Sequence, residues 1–211
     1  MNLASKKPIT YLITRGEATS ENFASAKGQI LDIVSLAVDE GVSMIQIREK
    51  QLSANLLCAL TESVVAITRQ SPTKVLVNDR ADIALACGAD GVHLTADSIP
   101  AKVIRDVFPE GFLIGSSAHS LEDINAAIED GVDFVVLAPV YRTPGKGEPI
   151  GLERLTKMIK TTAPFPILAL GGVDITNYDD VLSAGASGFA AIRAMNDPER
   201  LRELMRNVRS Q

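Results

Sequence analysis

Cysteine is scarce in this chain. Only Cys58 and Cys87 occur in 211 residues, and nothing around them has metal-ligand spacing. A disulfide framework is therefore not expected to hold the fold together, and the pair suits a reducing cytoplasm. Long hydrophobic runs are also missing. One of the longest, residues 134–140, falls far short of the roughly 18 residues that a membrane span needs, and residues 1–7 carry no signal-peptide core. There is no excess of basic residues either: 21 Lys and Arg stand against 26 Asp and Glu, a formal charge of −5. That balance argues against a surface that neutralises nucleic-acid phosphates, so any anion site is local. Low-complexity segments are absent. The expectation is a cytoplasmic protein with neither nucleic acid nor membrane as a partner.

What is present is the balance of a globular protein, 46% apolar and 22% charged residues, in a length that fits one large domain over residues 1–211. Short aliphatic or β-branched runs alternate with amphipathic stretches along the whole chain. Strands are predicted at 9–13, 43–47, 74–77, 91–94, 112–115, 134–137, 166–170 and 188–192. Helices are predicted at 26–40, 53–69, 80–87, 100–107, 121–130, 152–161, 176–184 and 198–208. A weak repeat runs through GVSMIQI from Gly41, GADGVHL from Gly88, GVDFVVL from Gly131 and GASGFAAI from Gly185. In each, a glycine ends a helix and a strand follows, as a left-handed C-cap does. Eight βα units with a repeat at every second one predict an α/β fold, a single (β/α)8 TIM barrel.

In such a barrel the chemistry lies at the C-terminal ends of the strands, and here those ends are polar. After the second strand, alternation sends Gln46, Arg48 and Lys50 to the barrel mouth and Ile45 and Ile47 toward the helices. Two cations there call for an anionic ligand or for a carboxylate such as Glu49 or Asp79. The third strand ends in Asn78 and Asp79. The aspartate is a candidate for Mg²⁺, a hard cation that bridges carboxylates to substrate phosphates, and equally a candidate helix N-cap. The fifth strand leads through Ser116 and Ser117 to His119, an imidazole suited to proton transfer near neutrality. His93, inside its strand, reads as a hydrogen-bonded interior residue. Residues 138–150 form a long Gly- and Pro-containing connection that carries Thr143 and Lys146, a candidate lid. Gly171 and Gly172 after the seventh strand and Arg193 after the eighth occupy the positions where barrels frequently hold a phosphate.

These blocks together resemble the thiamine-phosphate synthase family, which also contains thiazole tautomerases. The similarity runs through TYLIT (10–14), IQIREK (45–50), VNDRADIALACGADGVHL (77–94), IGSSAH (114–119), APVYRTPGK (138–146), ALGGV (169–173) and GFAAI (188–192). The resemblance implies coupling of hydroxymethylpyrimidine diphosphate to hydroxyethylthiazole phosphate, with Mg²⁺, to give thiamine monophosphate and diphosphate. It also implies that Arg48, Lys50, Asn78, Ser117 and Lys146 hold the diphosphate, that Gln46 places the pyrimidine and that Asp79 binds Mg²⁺. Lys50, Lys146 and His119 are then the catalytic candidates, the two cations by stabilising the leaving charge. A homo-oligomer is compatible with the resemblance.

This sequence departs from the family pattern at three places. HLGQED becomes His93-Leu94-Thr95-Ala96-Asp97-Ser98, leaving Asp97 one residue early as the candidate second Mg²⁺ ligand. TxTK becomes Thr143-Pro144-Gly145-Lys146. The serine expected after the eighth strand is Arg193, which supplies a charge-assisted bond to the same phosphate. The retained cations favour the synthase, and the lost HLGQED favours a tautomerase acting on a carboxythiazole phosphate with His119 as acid and base. A non-catalytic sensor of phosphorylated ligands is a third reading.

Overall fold

The computed structural model describes residues 7–210. The expectation for the first residues of the chain lies, Lys7 apart, outside them. Eight strands alternate with eight helices in the order β1 (Ile9–Ile13), α1 (Phe23–Asp39), β2 (Met44–Ile47), α2 (Ala54–Thr68), β3 (Lys74–Asn78), α3 (Ala81–Ala86), β4 (Gly91–Leu94), α4 (Ala101–Val107), β5 (Leu113–Ala118), α5 (Leu121–Glu129), β6 (Phe134–Leu137), α6 (Gly151–Thr162), β7 (Ile167–Ala169), α7 (Tyr178–Ser183), β8 (Gly188–Ala191) and α8 (Pro198–Arg209). All pairings are parallel, and β8 returns to β1 with Ile9 opposite Gly188, so the sheet is a closed barrel. No helix among the described residues is long and apolar enough to cross a membrane.

Period-two alternation sorts each strand into two packed layers. Ile9, Tyr11, Met44, Leu76, Leu113, Phe134, Val136, Leu168 and Ala190 fill the barrel interior. Their chain neighbours, Leu12, Ile45, Val75, Val77, Ile114, Val135 and Phe189 among them, pack under the helices. The interior is crowded enough to require glycine on the strands: a Cβ at Gly115 would stand 2.3 Å from the Phe134 ring. The four repeat glycines behave as the sequence suggests, with φ of +74° at Gly41, +73° at Gly88, +84° at Gly131 and +99° at Gly185.

The cysteines overturn an expectation. Cys58 of α2 and Cys87, just after α3, form a disulfide across 29 residues, and no cysteine is free among the described residues. No short motif announces the pair, because it is the packing of α2 on α3, not sequence spacing, that brings the two Cα atoms to 6.2 Å.

Candidate active site

At the β2 and β3 tips the alternation carries polar side chains into the barrel. Gln46, 1% exposed, donates to the Tyr11 hydroxyl at 3.1 Å. Arg48 is half-buried and Lys50 exposed. Glu49 does not pair with them. It is buried, and its carboxylate accepts the backbone N–H groups of Gly16 at 3.0 Å and Ala18 at 2.8 Å, pinning the connection after β1. Among the described residues neither Arg48 nor Lys50 closes an ion pair within 4 Å; the four ion pairs are Lys74–Asp90, Arg80–Asp82, Arg105–Asp133 and Arg209–Glu40.

Asp79 is the one non-glycine residue with positive φ among the described residues, at +60°. Such backbone is costly for most residues, tolerated best by Asn and Asp, and concentrated at functional sites. The carboxylate is not the N-cap of α3, which starts from Arg80 with no side-chain cap. It instead accepts from Asn78 Nδ2 at 2.6 Å, from Thr95 Oγ1 at 2.9 Å and from the Ser98 hydroxyl. Burial pushes its pKa up, but the bonds from Ser98 and Thr95, the Lys50 charge and the Asn78 amide outweigh that, and the group lies below the usual carboxylate range.

Asp97, the candidate second metal ligand, is exposed and takes no part in this network, whereas Ser98 reaches Asp79. Thr95 N–H donates to Ser98 Oγ at 2.7 Å, and that turn fixes which of the two faces inward. The cluster offers oxygen donors with one full negative charge, a set that suits a hard cation completed by water and substrate phosphate.

His93, 3% exposed, stands in the interior against the rings of both Tyr11 and Phe134, which also contact each other. Its Nε2 lies 3.1 Å from the Ser117 hydroxyl, and its Nδ1 has no partner among the described residues. Burial lowers its pKa to about 4; Asp79 opposes that and Arg48 adds to it, so the imidazole is neutral and orients Ser117. His119 follows β5 and is exposed, with Nδ1 2.6 Å from the Ala138 carbonyl. That bond places the proton on Nδ1 and leaves Nε2 as the acceptor.

On the far side of the mouth, residues 142–149, with Thr143 and Lys146 among them, line a cleft of about 750 Å³ together with Arg193. Arg193 is exposed and pairs with neither Glu199 nor Glu203. Gly171 and Gly172, at φ +96° and +70°, lie beneath this loop. A Cβ at Gly171 would stand 2.7 Å from Pro139 Cα, and one at Gly172 2.8 Å from Tyr141 Cβ.

Sequence reasoning missed Asn196. Its backbone N–H closes a helical turn on the Ile192 carbonyl at 3.0 Å, and its side-chain amide donates to Ile13 at 2.8 Å and to Ile192 at 2.7 Å. The first N–H groups of such a turn, beginning at Arg193, have no partner within the turn, an arrangement that suits an anion. An Asn three residues beyond the arginine was the available signal.

A sequence profile described as thiamine monophosphate synthase matches residues 10–195. The thiamine-phosphate synthase of Roseiflexus castenholzii is 35% identical over 213 aligned residues, covering 98% of this chain and 90% of that protein. The thiamine-phosphate synthase of Methanoculleus marisnigri is 39% identical, over 78% of this chain and 79% of that one. Among solved structures, a thiamine phosphate pyrophosphorylase from Pyrococcus furiosus superposes with a TM-score of 0.79 at 30% identity, over 95% of this chain and 96% of its own.

Proposed function

From the premise that the chain belongs to the thiamine monophosphate synthase family, we propose how its barrel mouth carries out that family's transferase reaction. Hydroxymethylpyrimidine diphosphate and hydroxyethylthiazole phosphate are joined to thiamine monophosphate, and diphosphate leaves. One observation carries the assignment of residues: the mouth has two separate cationic stations that join no ion pair among the described residues, Arg48 and Lys50 after β2, with the Lys50 charge acting on Asp79, and Lys146 and Arg193 around the cleft. Two phosphorylated substrates call for two such stations.

In this reading Arg48, Lys50, Asn78 and Ser117 hold the diphosphate of the pyrimidine substrate, and Lys146 swings onto it from the loop. Gln46 sets the pyrimidine ring over the Tyr11–Phe134 floor. Asp79, flanked by the Thr95 and Ser98 hydroxyls, would hold Mg²⁺, whose chemistry there would be neutralisation of diphosphate charge. The fixed cations stabilise that same charge and are worth most in a partly dry site. Thr143, the Gly171-Gly172 turn, Arg193 and its helical turn seat the thiazole phosphate, so that the thiazole nitrogen faces the pyrimidine methylene. A cytoplasmic location goes with free small-molecule substrates of this kind.

One feature keeps the tautomerase as a second reading. The Nε2 of His119 is set up as a base by the Ala138 bond, and the synthase chemistry needs no base at that place. Purified protein offered both synthase substrates with Mg²⁺ is expected to release thiamine monophosphate and diphosphate in equal amounts. Interconversion of the carboxythiazole phosphate tautomers, with no coupling in the first assay, would replace the synthase reading.

A further inference from the structure

Outside the barrel mouth, in the helical layer, three potential ligands converge. Cys58 and Glu62 are one turn apart on the same face of α2, and Cys87 caps α3. The two sulfurs and a Glu62 carboxylate oxygen all lie within 4.8 Å of one another, the one such group of three metal-capable side chains among the described residues. Glu62 is exposed and joins none of the ion pairs.

A disulfide that only staples α2 to α3 has no use for a carboxylate beside its sulfurs. Nor does a reactive thiol pair, because a neighbouring anion disfavours the thiolate, whereas reactive cysteines sit among cations. A carboxylate does belong beside two thiols if all three act on a cation. Two soft sulfurs and one oxygen select a thiophilic metal over Mg²⁺ or Ca²⁺, and the exposed side leaves room for water at a fourth, tetrahedral position.

We propose that the reduced Cys58–Cys87 pair and Glu62 form a binding site for a thiophilic divalent cation of the zinc class, and that formation of the disulfide closes it. The exchange balances. A dithiol reductant supplies two electrons and two protons, the S–S bond breaks, two thiols form, and the reductant becomes a cyclic disulfide. Metal binding then displaces the two thiol protons to solvent. The Cα separation of 6.2 Å keeps the freed sulfurs near one another, so the site needs only side-chain movement.

Co²⁺ is the probe, since thiolate ligation gives it a charge-transfer absorption, and Zn²⁺ is the competitor. Protein reduced with a dithiol, freed of reductant without air, is expected to bind a single Co²⁺ with that absorption and to lose it to Zn²⁺. The oxidised wild-type protein is expected to show none, a comparison that requires no substitution to fold. Glu62→Gln is expected to weaken binding at least tenfold, roughly the loss caused by removing even an outer-shell partner. No absorption in the reduced protein, its persistence in Cys87→Ser, or an affinity unchanged in Glu62→Gln would overturn the site.

Discussion

Asn196 reaches from the turn after the last strand to the carbonyl of Ile13, the last residue of the first strand, at 2.8 Å. The same amide also holds the Ile192 carbonyl, so one side chain fastens the turn proposed to seat the thiazole phosphate to the barrel seam. Asn196→Ala removes the side-chain bonds to both carbonyls, leaves the Ile192 carbonyl only the backbone N–H of residue 196, and unties the turn from β1. The expected outcome is a rise in KM for the thiazole phosphate of about tenfold, equivalent to roughly one lost hydrogen bond, with the KM for the pyrimidine diphosphate unchanged. Steady-state kinetics with each substrate varied in turn check it.

Arg193 opens that turn and has no carboxylate partner among the described residues. Arg193→Ala is expected to weaken the phosphorylated thiazole by about 1.5–3 kcal/mol, the range for hydrogen bonds to charged groups, and to leave the dephosphorylated compound almost unaffected. Calorimetric titration of both ligands decides, and equal losses would remove the phosphate from this side of the mouth.

Asp79→Asn keeps a residue that tolerates positive φ and removes the charge. Mg²⁺-dependent coupling is expected to vanish while Tm moves by only a few degrees, since in a chain of this size about 1 kcal/mol shifts Tm by about 2–4 °C. Coupling that continues unchanged in EDTA would contradict the metal assignment.

Lys50→Met removes a charge and keeps much of an apolar stem. Lys50 is exposed, so stability is expected to stay within about 0.5 kcal/mol while diphosphate affinity falls. Denaturant melts run beside inhibition by inorganic diphosphate separate the two effects.

His93 gives the protein an acid-side weakness. Its folded pKa of about 4 lies below the ordinary 6.5, so between those values the unfolded chain binds the proton more readily. Stability therefore falls as pH drops from about 6.5 toward 4, by about 3 kcal/mol from this group. Urea unfolding of wild type and His93→Gln across that window is expected to show a shallower slope in the variant.

Much of this was legible because barrel strands write their geometry into alternation. Met44 and Gln46 face inward and Ile45 and Ile47 outward, as their polarity and position require. Where side chains are small the signal fades: β5 continues three residues past Gly115, because Ser116, Ser117 and Ala118 pair with β6 without a large apolar side chain among them. Likewise α1 begins at Phe23, three residues before the periodicity becomes clear, from Asn22, whose side chain makes no capping bond. Single-residue choices in loops were beyond periodicity altogether. A hydrogen-bonded turn, not a pattern, turns Ser98 rather than Asp97 toward Asp79, and long-range packing joins Cys58 to Cys87.

Because β1 is flanked by β2 and β8, its second edge stays bare until the end of the chain has been made. During synthesis at about 5–20 residues per second, the nascent sheet carries open strands on both sides until residues 188–191 clear the ribosome. The seam closes last, over the largest sequence separation in the sheet, and such non-local pairings are slow. Loss of β8 through a premature stop would therefore leave not a shorter enzyme but an unsealed sheet, exposed to chaperones, proteases and other unsealed copies.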